Sequence, residues 1–403
     1  MNRRDIIARG AAGLALAAWP GRVAAQGTAP FAPVPPVPRL LARPDRIVRV
    51  TVCLRPFRAA GPRIEAEDLG RKTVVHHYGH GGSGWSLSWG SAMEAVPLAL
   101  QTGAKEIAVI GAGAIGLTTA ITAQRLGAKV TIYAKERFPQ VRSARATGTW
   151  SPSSRIAMSD AVDAGFADRW VRMTRASFDR YQGFLGLPGD PVEWTDRYML
   201  DDRPPQPRAV PPAAPPEVSA APAEPRREFV ALDRLVRDLT PAAVPLLPHE
   251  HPFPVGFARR GSSLTFNVAD LAHQLEADFL AAGGRMVPAE FHEPADIARL
   301  VRERTVINCT GYGARALFGD ESVVPVRGQI AWLIPQPGAA FGLYYRHLSV
   351  LARRDGIVVQ PLGEDDWFGF GDADETPDWE AARAGVAEAA ALFPEGVGGG
   401  DQP

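Results

Sequence analysis

Ile107-Ala108-Val109-Ile110-Gly111-Ala112-Gly113-Ala114-Ile115-Gly116 is a short apolar run that ends in Gly-x-Gly-x-x-Gly. The run reads as a buried strand, and the glycines open a helical stretch that continues to Leu126. Gly111 permits a tight turn, Gly113 lets a pyrophosphate approach the backbone, and Gly116 allows helix to pack closely on strand. The amides of Ala114 and Ile115 begin the helix, where free N–H groups and the helix dipole favour an anion. Lys129-Val130-Thr131-Ile132-Tyr133-Ala134 reads as a second strand, which makes Glu136, 25 residues past Gly111, the acid for the ribose hydroxyls. The unit predicts a dinucleotide-binding α/β domain and does not separate NAD from FAD.

Upstream lies Val75-His76-His77-Tyr78-Gly79-His80-Gly81-Gly82-Ser83-Gly84-Trp85-Ser86-Leu87-Ser88-Trp89-Gly90. Its glycines let backbone groups approach a planar ring without side-chain obstruction. His76, His77 and His80 do not make a metal site: in an extended segment His76 and His77 point to opposite faces, and no Cys or carboxylate pattern completes one. Gly82-Ser83-Gly84 is not a nucleophile elbow, which needs Gly-x-Ser-x-Gly, because position 85 is Trp. Further upstream, Ile47, Val48, Val50, Val52 and Leu54 read as a strand that delivers Arg55 into a site. A guanidinium pairs with a carboxylate through two parallel hydrogen bonds and keeps its charge when buried, so Arg55 is the first candidate for binding a small carboxylate.

Leu54-Arg55-Pro56-Phe57-Arg58 and the His-x-Tyr-Gly-His-Gly-Gly-x-Gly run from His76 together resemble the carboxy-terminal signature of the D-amino-acid oxidase family of flavoproteins. Ala146-Thr147-Gly148-Thr149-Trp150-Ser151-Pro152 resembles the family's loop beside the flavin. Ile307-Asn308-Cys309-Thr310-Gly311 and Val326-Arg327-Gly328-Gln329-Ile330 resemble two further family elements. In the family the fingerprint opens the chain and the glycine-rich run closes it; here the order is swapped, which implies a circular permutation. The expected fold is α/β, an FAD-binding Rossmann-like domain interwoven with a mixed-sheet substrate domain. The resemblance implies FAD, with Arg55 on the substrate carboxylate and the Gly82 carbonyl on its amine. It also implies flavin contacts from Gly81, Gly84, Trp85, Ser86, Gly148, Trp150, Thr310 and Gly311. His77 replaces an asparagine usual in the family. Two family tyrosines, four residues apart, fall on Tyr345 and Ser349; Ser349 is too short to hold a carboxylate as tyrosine does. Tyr344 or His347 substitutes, a water bridges, or the substrate is not a standard D-amino acid.

The implied activity is oxidation of a D-amino acid or related amine to the imino and then oxo acid, with oxygen reduced to hydrogen peroxide. The alternatives are a flavin dehydrogenase of an imino or N-methyl amino acid that uses a carrier, and a catalytically idle flavin-binding protein. The charge is balanced, 44 basic against 44 acidic residues, so no electrostatic footprint for nucleic acid is present and a small-molecule partner is expected. Cys53 and Cys309 are too few for a disulfide framework and read as buried thiols. Asn2-Arg3-Arg4-Asp5 before the apolar stretch Ala11 to Trp19 reads as a twin-arginine export signal over residues 1–26. It implies the twin-arginine translocase as a partner and a periplasmic or secreted enzyme. No stretch is long enough to span a membrane, which takes about 20 apolar residues.

Residues 27–45 read as a proline-rich linker and 46–403 as one oxidoreductase unit. Within it, FAD binding is assigned mainly to 74–155 and 262–318, and substrate binding to 46–70, 156–261 and 319–393. Helices are predicted over Ser91 to Gly103, Asp160 to Leu185, Thr265 to Gly283 and Asp378 to Phe393. Residues 203–225, with nine prolines in 23 positions, read as a surface loop inserted in the second domain.

Overall fold

Strand-forming runs rich in Val and Ile alternate with small-residue helical stretches, and the computed structural model resolves them as a mixed α/β fold that describes residues 37–204 and 227–394. The expected export signal, the first part of the linker and nearly all of the proline-rich insertion lie outside the described residues. The described strands are β1 (Ile47–Phe57), β2 (Arg63–Leu69), β3 (Lys72–Tyr78), β4 (Glu106–Ile110), β5 (Lys129–Ala134), β6 (Val192–Asp201) and β7 (Val244–Leu246). They continue as β8 (Phe257–Phe266), β9 (Arg285–Pro288), β10 (Thr305–Asn308), β11 (Val324–Leu333), β12 (Phe341–Tyr345), β13 (Leu348–Arg353) and β14 (Gly356–Pro361). The helices are α1 (Gly84–Leu100), α2 (Ala114–Arg125), α3 (Phe166–Gln182), α4 (Val268–Ala281), α5 (Pro294–Leu300), α6 (Ala314–Phe318) and α7 (Trp379–Ala391).

One sheet has the order β2-β3-β10-β4-β5-β9. Its last five strands are parallel, and β2 is antiparallel to β3 across a turn at Gly70, whose φ is +63°. A parallel sheet is covered on both faces, which is why its strands read as continuous apolar runs. Val75, Ile107, Val109, Ile132 and Ile307 pack toward α1, α2 and α4, while Val74, Ala108, Ile110 and Val306 pack toward α5. Strand β2, assigned from sequence to the substrate domain, is an edge of this sheet; its run of alternating charges carries no signal of which neighbour it joins.

The second sheet has the order β1-β11-β14-β13-β12-β6-β8-β7 and is antiparallel except where β12 meets β6. Pro56 is tolerated inside β1 because that strand is an edge. One face, carrying Val50, Leu343, Val350 and Val359, packs on Ala382, Val386 and Ala389 of α7. Leu40 and Ala42, each 2% exposed, join that core, so the linker reading fails from Val37 onward: apolar side chains between the prolines cover a seam. Asp378 caps α7 by accepting from the Ala381 amide at 2.9 Å.

Helix α1 begins at Gly84, inside the glycine-rich run, rather than at Ser91, and runs through Pro97. Apart from Glu94 it carries no charge, and its serines, alanines and glycine let α2 and α3 approach closely. Ser88 Oγ and Tyr181 Oη hydrogen-bond at 2.8 Å, and a Cβ on Gly90 would lie 1.9 Å from the carbonyl oxygen of Met173 in α3. Because both partners are helix backbone, Gly90→Ala forces the helices apart. Urea denaturation is expected to show a loss of about 1 to 3 kcal/mol; an unchanged midpoint would refute this packing.

Candidate active site

The carboxyl ends of parallel strands are where α/β sheets bind ligands. All five parallel strands end on one cavity of about 490 Å³: Tyr78 to Gly82 follow β3, Cys309 to Gly313 follow β10, and Gly111 to Ile115 follow β4. Lys135 and Glu136 follow β5, and Ala289 to Phe291 follow β9. Cys53 to Pro56 of β1, with Gly328 and Ile330 of β11, bring the edge of the second sheet to the same cavity. Residues from opposite ends of the sequence reading therefore meet: Arg55, Gly81, Gly82, Gly84, Trp85, Gly111, Gly113, Ala114, Ile115, Glu136, Thr310 and Gly311 all line it.

Two of the three fingerprint glycines, Gly111 and Gly116, occupy places where no other residue fits. Gly111 has φ +105°, and a Cβ there would lie 2.6 Å from the Cys309 carbonyl oxygen. A Cβ on Gly116 would lie 2.0 Å from the Gly111 oxygen, so Gly116 serves the turn from behind and does not line the cavity. Gly113 precedes α2 without a side-chain cap, and the Ala114 amide donates to Ser143 Oγ at 3.1 Å. Trp85 Nε1 donates to the Ser143 carbonyl at 2.9 Å, tying the glycine-rich run to this loop. Lys135 pairs with Glu290 at 2.6 Å, and no hydrogen bond reaches the Glu136 carboxylate among the described residues.

Ser86, Gly148 and Trp150 hold the walls without lining the cavity. Ser86 Oγ accepts from the Ser151 amide at 2.8 Å. Gly148 has φ +87° with the Phe266 carbonyl pressed against it, and Trp150 packs on Phe178, 5.4 Å between ring centroids. Tyr345 and Ser349 also stand away from the cavity. Tyr345 lies on the α7 face, its hydroxyl donating to Asp202 at 3.1 Å, whereas Ser349 is the cross-strand partner of Tyr344 and shares the other face. Adjacent residues of a strand face opposite ways, so the two positions cannot act together.

Arg55 Nη1 donates to the Arg327 carbonyl at 3.3 Å, and a Cβ on Gly328 would fall 2.3 to 2.5 Å from the guanidinium, which thus lies over the glycine. No carboxylate pairs with it among the described residues, and burial pulls its pKa down. Cys53, Tyr78, His80, Lys135, Arg142, Ser143 and Arg145 also line the cavity and were not singled out as site residues from sequence. The loop residues among them sit in a stretch without periodicity, and only their place just after β5 could have pointed to them. Cys53 and Cys309 are free thiols; burial pushes Cys309 up to about 12. No group of side chains arranged to hold a metal occurs among the described residues.

His77 Nδ1 sits 2.9 Å from Thr119 Oγ1, while His77 Nε2 and His80 Nε2 are buried without a partner. Burial drives the pKa of His77 well below its usual value and that of His80 to about 3. Both rings stay neutral at pH 7. Unfolded histidines titrate near 6.5, so below that pH the unfolded chain binds more protons than the folded one, and stability falls as pH drops toward 3. Denaturation at pH 6.5, 5.5 and 4.5 should show a slope approaching about 1.4 kcal/mol per pH unit for each histidine. A flat profile would mean that these rings are solvated.

A model of the family described as FAD dependent oxidoreductase matches residues 106–401. That is well over half of the chain, which belongs to this family and takes FAD as its cofactor. The chain is 29% identical over 303 residues to the D-amino-acid oxidase of Streptomyces coelicolor, spanning 73% of this chain and 79% of that one. A 66-residue stretch is 48% identical to the D-amino-acid oxidase of Dictyostelium discoideum, 16% of this chain and 19% of that protein. Among solved structures, glycine oxidase from Geobacillus kaustophilus aligns with a TM-score of 0.46 at 13% identity, covering 72% of this chain and 78% of that one.

The residues present fit FAD. The cavity is within the usual range of roughly 300 to 1,000 Å³ for ligand sites, glycines form a cradle that Cβ atoms would fill, and the amino terminus of α2 opens onto it. Gly111, Gly113, Ala114 and Ser143 would hold the pyrophosphate, Glu136 the ribose, and Gly81 to Trp85 the ring.

Proposed function

We propose that the protein oxidises a D-amino acid or a related amine to the imino acid, which water hydrolyses to the oxo acid and ammonia, with oxygen taking the electrons to form hydrogen peroxide. The observation that carries this reading is the unpaired Arg55 guanidinium in the same cavity as the fingerprint and the glycine-rich turn. D-amino-acid oxidation by the relatives from Streptomyces coelicolor and Dictyostelium discoideum supports it. Bound FAD supplies the two-electron acceptor. Arg55 binds the substrate carboxylate through both Nη atoms, and the Gly82 carbonyl accepts from the amine, so the α-carbon is fixed by its two polar substituents. His80, held neutral with its pKa near 3, is too weak a base to take the amine proton at pH 7, so the amine must arrive neutral.

The circular permutation belongs to the same proposal. Its support is that the ends of the described unit adjoin: Arg39 Nε donates to the Phe393 carbonyl at 3.3 Å, and Leu40 and Ala42 share a core with Leu392 and Phe393. Residues 101–105, between α1 and β4, would then join what are the two ends of the chain in the usual order.

Anaerobic mixing with a panel of D-amino acids should bleach the flavin, and peroxide should form in air. Bleaching without peroxide favours a carrier, and no bleaching by any amino acid sinks the reading. Arg55→Ala should raise KM by a factor on the order of 100 to 1,000, since breaking a buried charge pair costs about 3 to 5 kcal/mol. FAD content should hardly change, and an unaltered KM would remove Arg55 from the site.

Export through the twin-arginine translocase to the periplasm or medium is proposed from Arg3-Arg4 and the apolar stretch Ala11 to Trp19 that follows. Arg3 and Arg4 replaced together by Lys should leave active enzyme in the cytoplasm; fractionation that finds it exported as before would dismiss this.

A further inference from the structure

Hydrogen bonds, not apolar burial, hold the segment that leads into α7. Residues 371–378 are exposed throughout, yet two side chains of β11 pin their backbone. Arg327 donates from Nε to the Asp374 carbonyl at 2.9 Å and from Nη2 to the Thr376 carbonyl at 2.8 Å. Gln329 exchanges two hydrogen bonds with the backbone of Asp378, each of 2.7 Å. Glu375 is therefore fixed by its neighbours on both sides.

Its carboxylate spans two arginines of the cavity. One oxygen accepts from Arg142 Nη2 at 2.5 Å and the other from Arg145 Nη1 at 3.4 Å. Arg142 and Arg145 bound a single 3-10 turn in which no residue is buried, so polar contacts decide where that turn sits. Arg145 Nη1 also donates to the Val52 carbonyl of β1 at 2.9 Å, and the Arg142 guanidinium lies over the Tyr312 ring, 5.7 Å from its centre. Between the arginines stands Ser143, whose Oγ takes the Ala114 amide at the fingerprint turn and whose carbonyl takes the Trp85 indole. Like charges three residues apart on one turn repel, and a carboxylate with one oxygen on each removes that repulsion. Glu375 itself does not line the cavity.

We propose that Glu375 is a positioning residue for FAD: through Arg142 and Arg145 it holds Ser143 at the fingerprint turn, and that hold retains the cofactor. This rests on FAD as the cofactor of the family and not on the substrate proposed above.

The test follows FAD release from the holoenzyme after dilution, by the rise of flavin fluorescence, and FAD affinity by titration of the apoprotein. Glu375→Gln, which keeps the size and removes the charge, should raise both the release rate and Kd by a factor on the order of 10, the loss of two part-exposed ion pairs. Glu375→Asp, which keeps the charge on a shorter stem, should fall between. The thermal midpoint of the apoprotein should stay where it is, whereas that of the holoenzyme should fall. A midpoint lowered alike with and without FAD overturns the proposal, since Glu375 would then serve the fold and not the cofactor. Unchanged release and affinity overturn it, and so does tighter FAD in Glu375→Gln, which would make the carboxylate a competitor of the cofactor phosphates for the two arginines. Should the Gln variant fail to fold, Arg327→Gln, which frees the segment carrying Glu375, decides in its place: it should speed release, and release at the wild-type rate overturns the proposal.

Discussion

A guanidinium laid over a glycine sets the terms for the end of the cavity that the second sheet supplies. Arg55 can lie where it does because Gly328, opposite the neighbouring Cys53 on β11, has no Cβ to displace it. The charge is costly there: an ion taken out of water without a partner is disfavoured by several kcal/mol. Arg353, on the same sheet, shows the ordinary solution. It is almost fully buried, pairs with Asp355, and donates to the carbonyls of Ala146 at 2.8 Å and Thr147 at 3.0 Å. Arg353 fixes the loop before Trp150 and is consumed by that task, whereas Arg55 has a single carbonyl and an open side toward the cavity.

The parallel sheet supplies the complementary condition. Its five carboxyl ends converge only because helices α1 and α2 bury their small-residue faces and leave the glycine-rich turn and the fingerprint turn side by side. The contact of Gly111 with the Cys309 carbonyl and of Gly81 with the Arg155 carbonyl are two instances of one constraint, backbone on backbone, which any side chain would break. Trp85 Nε1 donates to the Ser143 carbonyl, which ties the first turn of α1 to the loop after β5.

What could be read from the sequence follows how local the signal is. The strand, glycines and helix from Ile107 to Leu126 are a contiguous pattern, and β4 and α2 appear within a few residues of where periodicity puts them. Asp378 before an apolar-periodic run is likewise a local cap, and α7 starts there. The hairpin of β2 and β3 leaves no periodic signal because Arg63 to Leu69 is mostly charged, and its strand character comes from pairing with β3. The resemblance puts Tyr345 beside the substrate because it supplies a spacing but not a face; the face depends on pleat register against β13 and β6, which a single strand does not encode. Arg142, Ser143 and Arg155 lie in loops, where no period exists to read and position comes wholly from tertiary packing.

Charge shows the same division between composition and place. Over the whole chain cations and anions balance at 44 each, which says nothing about the cavity. Within it the signs separate: Glu136 and Glu290 sit together at the end after β5 and β9, with Lys135 taking up Glu290 and leaving Glu136 open. Arg142, Arg145 and Arg55 line the remainder, with Arg142 and Arg145 clasped by Glu375 from the segment before α7. A carboxylate suits ribose hydroxyls and would repel phosphate, while a cationic wall suits phosphates and carboxylates. With Arg142 and Arg145 paired to Glu375 and Lys135 to Glu290, Arg55 is the lining cation without an acidic partner among the described residues. The lining acids thus follow β5 and β9 of the parallel sheet, while Arg55 comes from β1 at the edge of the second sheet.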